Sequence, residues 1–331
     1  MRLAVPLFGK IHLTESRALP NCSGIIPLAG TILAMKPGQL AAYLFLAVAW
    51  GFSFMLVLHT VGAFGWVGAV SLRCFIASIT LYLVAKAIGR HLDFSAGWRA
   101  FAMVGATTVA GQLIGLSYAT PLIGTAMAAI LVASIPLFSM LIGQFWGLEK
   151  ISAQSLLGIA FGILGIVILV GFPAVPVTQA FVLGCISCML GCLCAAFGSN
   201  YASRYLKGTG SWEITIGSFF AGGVVTLPLF AVVPITTMPS LLDIGYLFTL
   251  AILMSALTYI TYFRLVATIG ATKTISVEFV VTVIAVFIGA FVLDEPLSAA
   301  QFVGAGIIII GCALVLGVLP PRKRAPVVPD L

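Results

Sequence analysis

The chain has 331 residues, of which 61% are hydrophobic and only 8% are charged. Soluble proteins are about 45–50% apolar and about 25% charged, so this composition excludes a soluble globular protein, whose surface it could not cover. The net charge of +7 is better explained by basic cytoplasmic loops, which orient membrane proteins, than by nucleic acid as a partner. We therefore predict an all-α integral membrane protein.

The first 37 residues differ from the rest because they carry five charges and four prolines. They are too polar and too broken to cross a bilayer. A signal peptide would need a compact apolar core and a small-residue cleavage site, and neither is convincing here. Residues 1–37 are therefore predicted to be a disordered cytoplasmic extension, and Met35 is an alternative start of translation.

Ten apolar segments follow, separated by charges, Pro/Gly clusters and polar turns. Each approaches the length of about 20 mainly apolar residues that a helix needs to cross a bilayer. The predicted spans are 39–59, 66–87, 99–118, 122–146, 153–172, 178–202, 212–234, 242–263, 272–293 and 299–319. Their short connections suit an antiparallel helical bundle.

The distribution of basic residues tests this number of spans. With the N-terminus inside, the cytoplasmic segments hold 15 of the 16 Lys and Arg residues, and the predicted outer loops hold none. One missed or invented helix would reverse every later loop and destroy this segregation. We therefore predict a cell-membrane protein with ten spans and both termini in the cytoplasm, where residues 320–331 form a basic tail.

The two halves of the chain repeat each other. A shift of 146 residues places Glu149 on Glu295, and the same shift matches Ser152 with Ser298. Because each half has five spans, the second copy must run upside down relative to the first, and inverted repeats of this kind are typical of transporters. The predicted repeats are residues 38–174 and 175–319, each with five transmembrane helices.

Several motifs occur in an order that resembles the EamA-type transporters of the drug/metabolite transporter superfamily, over about residues 38–318. They are Trp50-Gly51, Arg73 followed by Phe75, Pro136 thirteen residues before Glu149, and the two Glu-x-x-Ser turns with glycine-containing helices behind them. The resemblance implies a ten-helix bundle with a central cavity. It also implies movement of a small organic solute, commonly an amino acid or another metabolite, out of the cell.

One position departs from the family pattern. The family often has Glu-Pro where this chain has Val281 and Thr282, and Glu278 lies one turn earlier on roughly the same helical face. Glu278 and Arg73 are the charges that the sequence places inside spans, at a cost of roughly 2.5–3.5 kcal/mol each near the bilayer centre. We expect them to lie on the order of 10 Å apart in depth, too far for a direct salt bridge.

Each of these two charges has a functional and a structural interpretation. Glu278 would bind a proton or a substrate ammonium group, and Arg73 would hold a carboxylate or serve a gating or structural role, which we favour for it. The alternative is that Arg73 snorkels and Glu278 lies near the headgroups, so that both only fix the position of their helices.

Polar and aromatic side chains inside spans prefer the protein interior to lipid, where they line a cavity or bond one helix to another. The predicted cavity residues are Trp50, Ser53, Gln112, Tyr118, Asn200, Tyr259 and Glu278. Tyr118 and Tyr262 lie near span ends, where interfacial aromatic residues are also common. Pro136 lies within the fourth span and is predicted to kink it or act as a hinge, because proline cannot donate a backbone hydrogen bond.

Other chemistries receive little support from the sequence. The cysteines between positions 185 and 194 lie on a single helix, which cannot surround a metal with four thiolates, so no metal site is predicted. No cofactor, nucleotide-binding loop or clustered catalytic group is found, which argues against an enzyme and leaves a proton gradient or downhill flow to drive transport.

The predicted function is a secondary transporter that exports a small metabolite by alternating access, with a small-molecule substrate and the lipid bilayer as its partners. Efflux of a hydrophobic drug or amine, an intramembrane enzyme and a membrane scaffold without transport activity stay open as alternatives. A homodimer through the glycine-rich helix faces also stays open.

Overall fold

The computed structural model describes residues 36–147, 153–171, 176–235, 238–269, 274–275 and 277–315. All regular secondary structure within these ranges is helical. Most of the predicted N-terminal extension, the basic tail and the turn that contains Glu149 lie outside the described residues. The prediction of an all-α protein is confirmed.

Nine helices follow one another along the described ranges. They are α1 Pro37–Ala87, α2 Trp98–Ile123, α3 Thr125–Phe145, α4 Ala153–Gly171, α5 Gln179–Tyr205, α6 Ser211–Ala231, α7 Leu241–Ile269, α8 Val277–Phe291 and α9 Ala299–Val315. Six of them, α1 to α3 and α5 to α7, are long and apolar enough to cross a membrane, and α4, α8 and α9 contain shorter apolar helices. The chain is therefore a multi-pass membrane protein.

The outer surface of the helices supports the same conclusion. Large apolar side chains such as Leu83, Val167 and Phe287 are 59%, 60% and 61% exposed. An exposed apolar surface of this extent would be a liability in water but is the normal contact surface in lipid.

Two of the long helices are broken at points that have a clear local cause. Helix α1 has 51 residues, and Gly65 interrupts it with φ 69° and ψ 162°, a conformation open to glycine because it has no Cβ. Helix α3 is interrupted by a turn at Ala133 and Ser134, and Pro136 falls in the first turn of its second part, where a missing N–H is tolerated. This break lies where Pro136 predicts a kink.

Helices α2 and α7 each contain a stretch of π-helix. The stretches are Gly105–Gly111 in α2 and Ile252–Leu257 in α7. A π-helical turn shifts the backbone hydrogen bonds from i+4 to i+5 and re-aims the side chains around it, and such turns are common at functional sites. Both stretches contribute to the site described below.

Helices α4 and α9 pack against each other through glycines. A Cβ atom on Gly165 would lie 2.8 Å from the Gly304 carbonyl oxygen, and one on Gly311 would lie 2.7 Å from the Gly158 carbonyl oxygen. Small residues allow two helix backbones to approach closely in a membrane. These glycine faces are therefore used within one chain.

Contacts between helix ends define two ends of the bundle. At one end, called here the Arg90 end, the Arg90 guanidinium lies 5.3 Å from the Trp212 ring centre. At the other, called the Glu295 end, the turn between α8 and α9 meets the start of α3 through Glu295 and Thr125. Helix α2 runs from the Arg90 end to the Glu295 end, and residues in its middle, between 108 and 116, line the cavity described below.

Candidate functional site

A cavity of about 60 Å³ lies among helices α1, α2, α3, α5, α7 and α8. This volume is enough for a few water molecules. Its polar and aromatic lining consists of Trp50, Ser53, Phe54, Arg73, Thr108, Gln112, Ser199, Tyr259, Tyr262 and Glu278. Helices from both halves of the chain therefore contribute to one site.

Arg73 reaches the cavity from the second part of α1 and is only 4% exposed. Its Nε donates a hydrogen bond to the hydroxyl of Ser255, and its Nη2 donates to the Met254 carbonyl at 3.4 Å. Both acceptors belong to the π-helical stretch of α7. Ser255 itself donates to the Leu250 carbonyl at 2.8 Å, so the π-helical turn provides the acceptors that hold the guanidinium at the cavity.

Glu278 reaches the same cavity from the first turn of α8 and is 8% exposed. A carboxylate in the first turn of a helix is favoured by the partial positive charge of the helix N-terminus. Tyr259 lines the same cavity as Glu278 and Arg73. The cavity thus holds an acidic and a basic side chain with an aromatic residue near both.

Three aromatic rings form a cluster beside these charges. The ring of Trp50 lies 5.7 Å from that of Tyr259 and 5.5 Å from that of Tyr262, between centroids. The Tyr262 hydroxyl donates to the Ser199 hydroxyl at 3.2 Å, which joins α7 to α5. Such a cluster offers π faces to a cationic or apolar group.

Tyr262 lies near the end of a predicted span, as interfacial residues do, but the structure places it in the cavity. It lies three residues after Tyr259, and residues at this spacing share one face of a helix. That spacing is the signal that could have grouped it with the predicted cavity residues.

Two further predicted residues line the cavity from the first half of the chain. Gln112 follows the π-helical stretch of α2, and the Ser53 hydroxyl donates to the Trp50 carbonyl at 2.7 Å. Thr108, which carries no distinguishing signal in the sequence, lies within that π-helical stretch and also lines the cavity. Its buried hydroxyl has no hydrogen-bond partner within the described part of the chain.

Two predicted cavity residues lie elsewhere. Tyr118 packs its ring edge-on against Trp66, with the centroids 5.4 Å apart. The side-chain amide of Asn200 donates to the Ser139 hydroxyl at 2.9 Å and to the Ser139 carbonyl at 3.2 Å, so it joins α5 to α3. Neither residue is among those that line the cavity, because each is taken up by a contact with a neighbouring helix.

Two of the cysteines of α5, Cys188 and Cys192, face α3. The thiols of Cys188 and Cys192 are buried and lie 3.8 and 3.6 Å from the carbonyl oxygens of Ala128 and Leu131. Among the described residues, no group of three or more His, Cys, Asp or Glu side chains is arranged to hold a metal ion. The role of these cysteines in the structure is to pack one helix on another.

The sequence profile of the EamA-like transporter family matches the chain twice, over residues 37–171 and 182–317. The chain belongs to this family. The two EamA-like matches cover both helical halves that build the cavity, and they confirm the family resemblance seen in the motifs.

Similar proteins have names that fit the EamA-like family. The "Uncharacterized inner membrane transporter YedA" of Escherichia coli strain K12 is 31% identical over 212 residues, which are 62% of this chain and 67% of that protein. The "Probable terminal-alkyne amino-acid exporter" of Streptantibioticus cattleyicolor is 23% identical over 279 residues, 81% of this chain and 90% of that protein. Relatives of this chain are thus named as transporters.

A solved structure, described only as a crystal structure of a protein, has the same fold. It superposes with a TM-score of 0.62 at 15% identity, and the match covers 85% of this chain and 96% of that one. At this level of identity the similarity shows the fold and nothing about the substrate.

Proposed function

We propose that this protein is a secondary transporter that exports a small organic metabolite, an amino acid or a similar compound, by alternating access. The observation that carries the proposal is that Arg73 and Glu278, both buried, line one cavity between helices of the two halves. Charged side chains inside a membrane protein usually face a substrate or ion pathway, because burial in lipid is costly. Neither an enzyme activity nor a bound cofactor is part of this proposal.

We further propose that the chain crosses the membrane ten times, as two inverted five-helix repeats with both termini in the cytoplasm. In this arrangement α1 crosses twice, on either side of Gly65, and the eight helices α2 to α9 cross once each. The distribution of Lys and Arg supports the orientation, which places the Arg90 end inside.

The cavity lining supports the repeat. Six pairs of lining residues are separated by 146 or 147 positions, among them Gln112 with Tyr259, Val132 with Glu278, and Ile135 with Val281. The π-helical stretches also begin 147 residues apart, at Gly105 and Ile252. Equivalent positions in the two halves thus adopt similar backbone geometry around the same cavity.

The contact between α4 and α9 supports the repeat independently. Gly158 and Gly304 are equivalent at a shift of 146, as are Gly165 and Gly311. Gly165 lies against Gly304, and Gly158 lies against Gly311. This reciprocal pattern is the one that a twofold axis between two copies produces.

The chemistry of the cavity favours a zwitterionic substrate. We propose that Arg73 attracts a carboxylate, that Glu278 attracts an ammonium group, and that Trp50, Tyr259 and Tyr262 contact the apolar part. Because a cavity of about 60 Å³ holds only a few waters, the substrate requires a wider conformation than this one. The name of the amino-acid exporter among the relatives fits this substrate class.

Solute-release profiling of cells that overproduce the protein tests the proposal. We expect one or a few amino acids to appear in the medium, and Trp50→Ala and Glu278→Gln to reduce that release strongly. Matched controls are Trp98→Ala, at an exposed tryptophan, and Glu213→Gln, at a carboxylate that is buried at 5% exposure but outside the cavity. Both controls should retain release.

Each other outcome of this experiment has a definite meaning. Release of amines that lack a carboxylate, still dependent on Glu278, would replace the zwitterion with a cationic drug or amine as substrate. Unchanged flux for every compound would reject transport and favour a scaffold. Loss of release on collapsing the pH gradient would show proton coupling, with Glu278 as the proposed proton site.

A further inference from the structure

The turn that joins α8 to α9 places a carboxylate at the start of α3. Glu295 Oε1 accepts a hydrogen bond from the Thr125 N–H at 2.6 Å, and Oε2 accepts one from the Ala126 N–H at 2.7 Å. The first N–H groups of a helix have no partner within the helix, and they carry partial positive charge. Glu295 therefore joins two helices whose sequences lie about half a chain apart.

Two glycines make room for this carboxylate. Gly124 precedes α3 with φ +84°. Because it is a glycine, it has no side chain that could cap the helix itself or keep the Glu295 carboxylate away from the helix start. A Cβ atom on Gly289 of α8 would lie only 2.7 Å from Glu295 Oε2 and 2.8 Å from the Ala126 Cβ. The Glu295 N–H donates to the Gly289 carbonyl at 2.9 Å, so the turn is fixed to α8 as well.

The helices joined in this way are both walls of the cavity. Helix α3 contributes Val132 and Ile135 to the lining, and α8 contributes Glu278 and Val281. The two helices also meet nearer the cavity, where the Thr282 hydroxyl donates to the Ala129 carbonyl at 3.0 Å. The Glu295 contact therefore sets how closely α3 and α8 approach at their shared end.

We propose that Glu295 is a latch that keeps the Glu295 end of the cavity closed by holding α3 against α8. That end opens when the carboxylate leaves the Thr125 and Ala126 N–H groups. The inference rests on the proposed alternating-access function, because a latch matters only if the cavity opens at this end. Glu295 does not line the cavity, so its role is that of a positioning residue.

Accessibility of the cavity from each face tests the latch. The reporter is Leu116→Cys, at a residue that lines the cavity, in a background in which all seven native cysteines are replaced. A membrane-impermeant thiol reagent is applied to one face at a time, in vesicles of known orientation. The measured quantity is the rate of labelling from each face.

Glu295→Gln keeps the size of the side chain but turns its NH₂ group toward one of the two backbone N–H groups. One hydrogen bond to a charged group is lost. This loss is enough to shift the equilibrium between the closed and the open Glu295 end by about tenfold. We expect labelling to become about tenfold faster from the membrane face at the Glu295 end, and slower from the membrane face at the Arg90 end.

Two further variants separate loss of the Glu295 contact from loss of its charge. Asp294→Asn removes a charge from an exposed side chain in the same turn, and because asparagine also tolerates its φ of 51° it should label like the parent protein. Gly289→Ala keeps every charge but pushes into the carboxylate, so it should label like Glu295→Gln.

The latch is rejected if Glu295→Gln labels like the parent protein, or if its labelling rises equally from both faces. If Glu295→Gln does not insert into the membrane, Gly289→Ala decides between the same outcomes. Labelling needs no substrate. A labelling change on one face, in a protein that releases no solute, would therefore retain the latch and reject the proposed transport function. Solute release without a labelling change would retain the transport function and reject the latch.

Discussion

In the first half of the chain the cavity wall includes Gln112 and Val132, whereas the residues 147 and 146 positions later in the second half are Tyr259 and Glu278. In the proposed repeat these positions are equivalent, but one pair is uncharged and the other brings a phenol and a carboxylate. The proposed repeat thus conserves the backbone around the cavity but not its chemistry. A chemically asymmetric cavity of this kind is suited to a substrate whose two ends differ.

Arg73 and the residue 147 positions later differ in the same way. It is 4% exposed and hydrogen-bonded to α7, whereas Phe220, 147 residues later, is 54% exposed on the outside of the bundle. Both charged side chains therefore line the cavity, whereas the counterpart of Glu278 is an apolar lining residue, Val132, and that of Arg73 lies on the outside of the bundle.

The largest expected difference between equivalent positions is in the transport rate, at Glu278. Replacing it with glutamine keeps the shape but removes the charge that we propose attracts the substrate ammonium. Loss of such a charged contact corresponds to about 1.5–3 kcal/mol, or roughly 10- to 100-fold in transport rate at low substrate. Its counterpart variant, Val132→Ala, should change the rate much less. Equal losses for the two variants in a transport assay with purified protein in liposomes would contradict this assignment.

A smaller but still large effect is expected at Arg73. Lysine keeps the charge but lacks the planar fork that reaches both the Ser255 hydroxyl and the Met254 carbonyl. We expect Arg73→Lys to lower the free energy of unfolding by about 1–3 kcal/mol, because buried acceptors lose their partner. Phe220→Leu is the control. Thermal unfolding in detergent measures both, and an unchanged unfolding temperature for Arg73→Lys would reject this role.

The glycine contact between α4 and α9, to which both halves contribute, gives the next expected effect. In Gly304→Ala the new Cβ would lie 2.9 Å from the Gly165 carbonyl oxygen, whereas a Cβ on Gly306 of the same helix meets nothing within 4 Å. We expect Gly304→Ala to cost about 1–3 kcal/mol of unfolding free energy through overpacking, and Gly306→Ala to cost little. Gly165→Ala should behave like Gly304→Ala, because the contact is reciprocal. Similar stabilities for all three variants would show that α4 and α9 are not in close contact.

The smallest of these effects is expected at Tyr262. Phenylalanine keeps the ring beside Trp50 but loses the hydrogen bond to Ser199. The loss of one neutral hydrogen bond corresponds to about 0.5–1.5 kcal/mol, so we expect a KM for transport that rises several-fold with little change in the maximal rate. Tyr205→Phe, on an exposed residue, is the control. A KM unchanged by Tyr262→Phe would remove this bond from the substrate site.

Several features of the site were predictable from the sequence for simple physical reasons. Glu278 and Arg73 stood out because a charge inside an apolar segment needs a cavity or a partner. Trp50, Ser53, Gln112 and Tyr259 were named as candidates for a substrate cavity, and the structure brings them together around one cavity. Pro136 indicated a broken helix because proline lacks an N–H, and the break lies beside it.

Other features depended on which helices are neighbours. Asn200 and Tyr118 looked like cavity residues, but each bonds or packs against an adjacent helix. Ser255 and Thr108 carried no signal, because a single Ser or Thr in a span is common and a π-helical turn has no clear sequence signature. The capping of α3 by Glu295 joins residues 170 positions apart, which local patterns do not reveal.

The sequence by itself determined that the chain is an all-helical membrane protein of the EamA type. Composition and the length of apolar segments act through the solvent, and lipid leaves a chain of this composition few alternatives to helices. Only the tertiary structure decided which polar groups share the cavity, because a polar side chain in a membrane can be satisfied by any neighbour that reaches it. Helix packing, and not the identity of the residue, selects that neighbour.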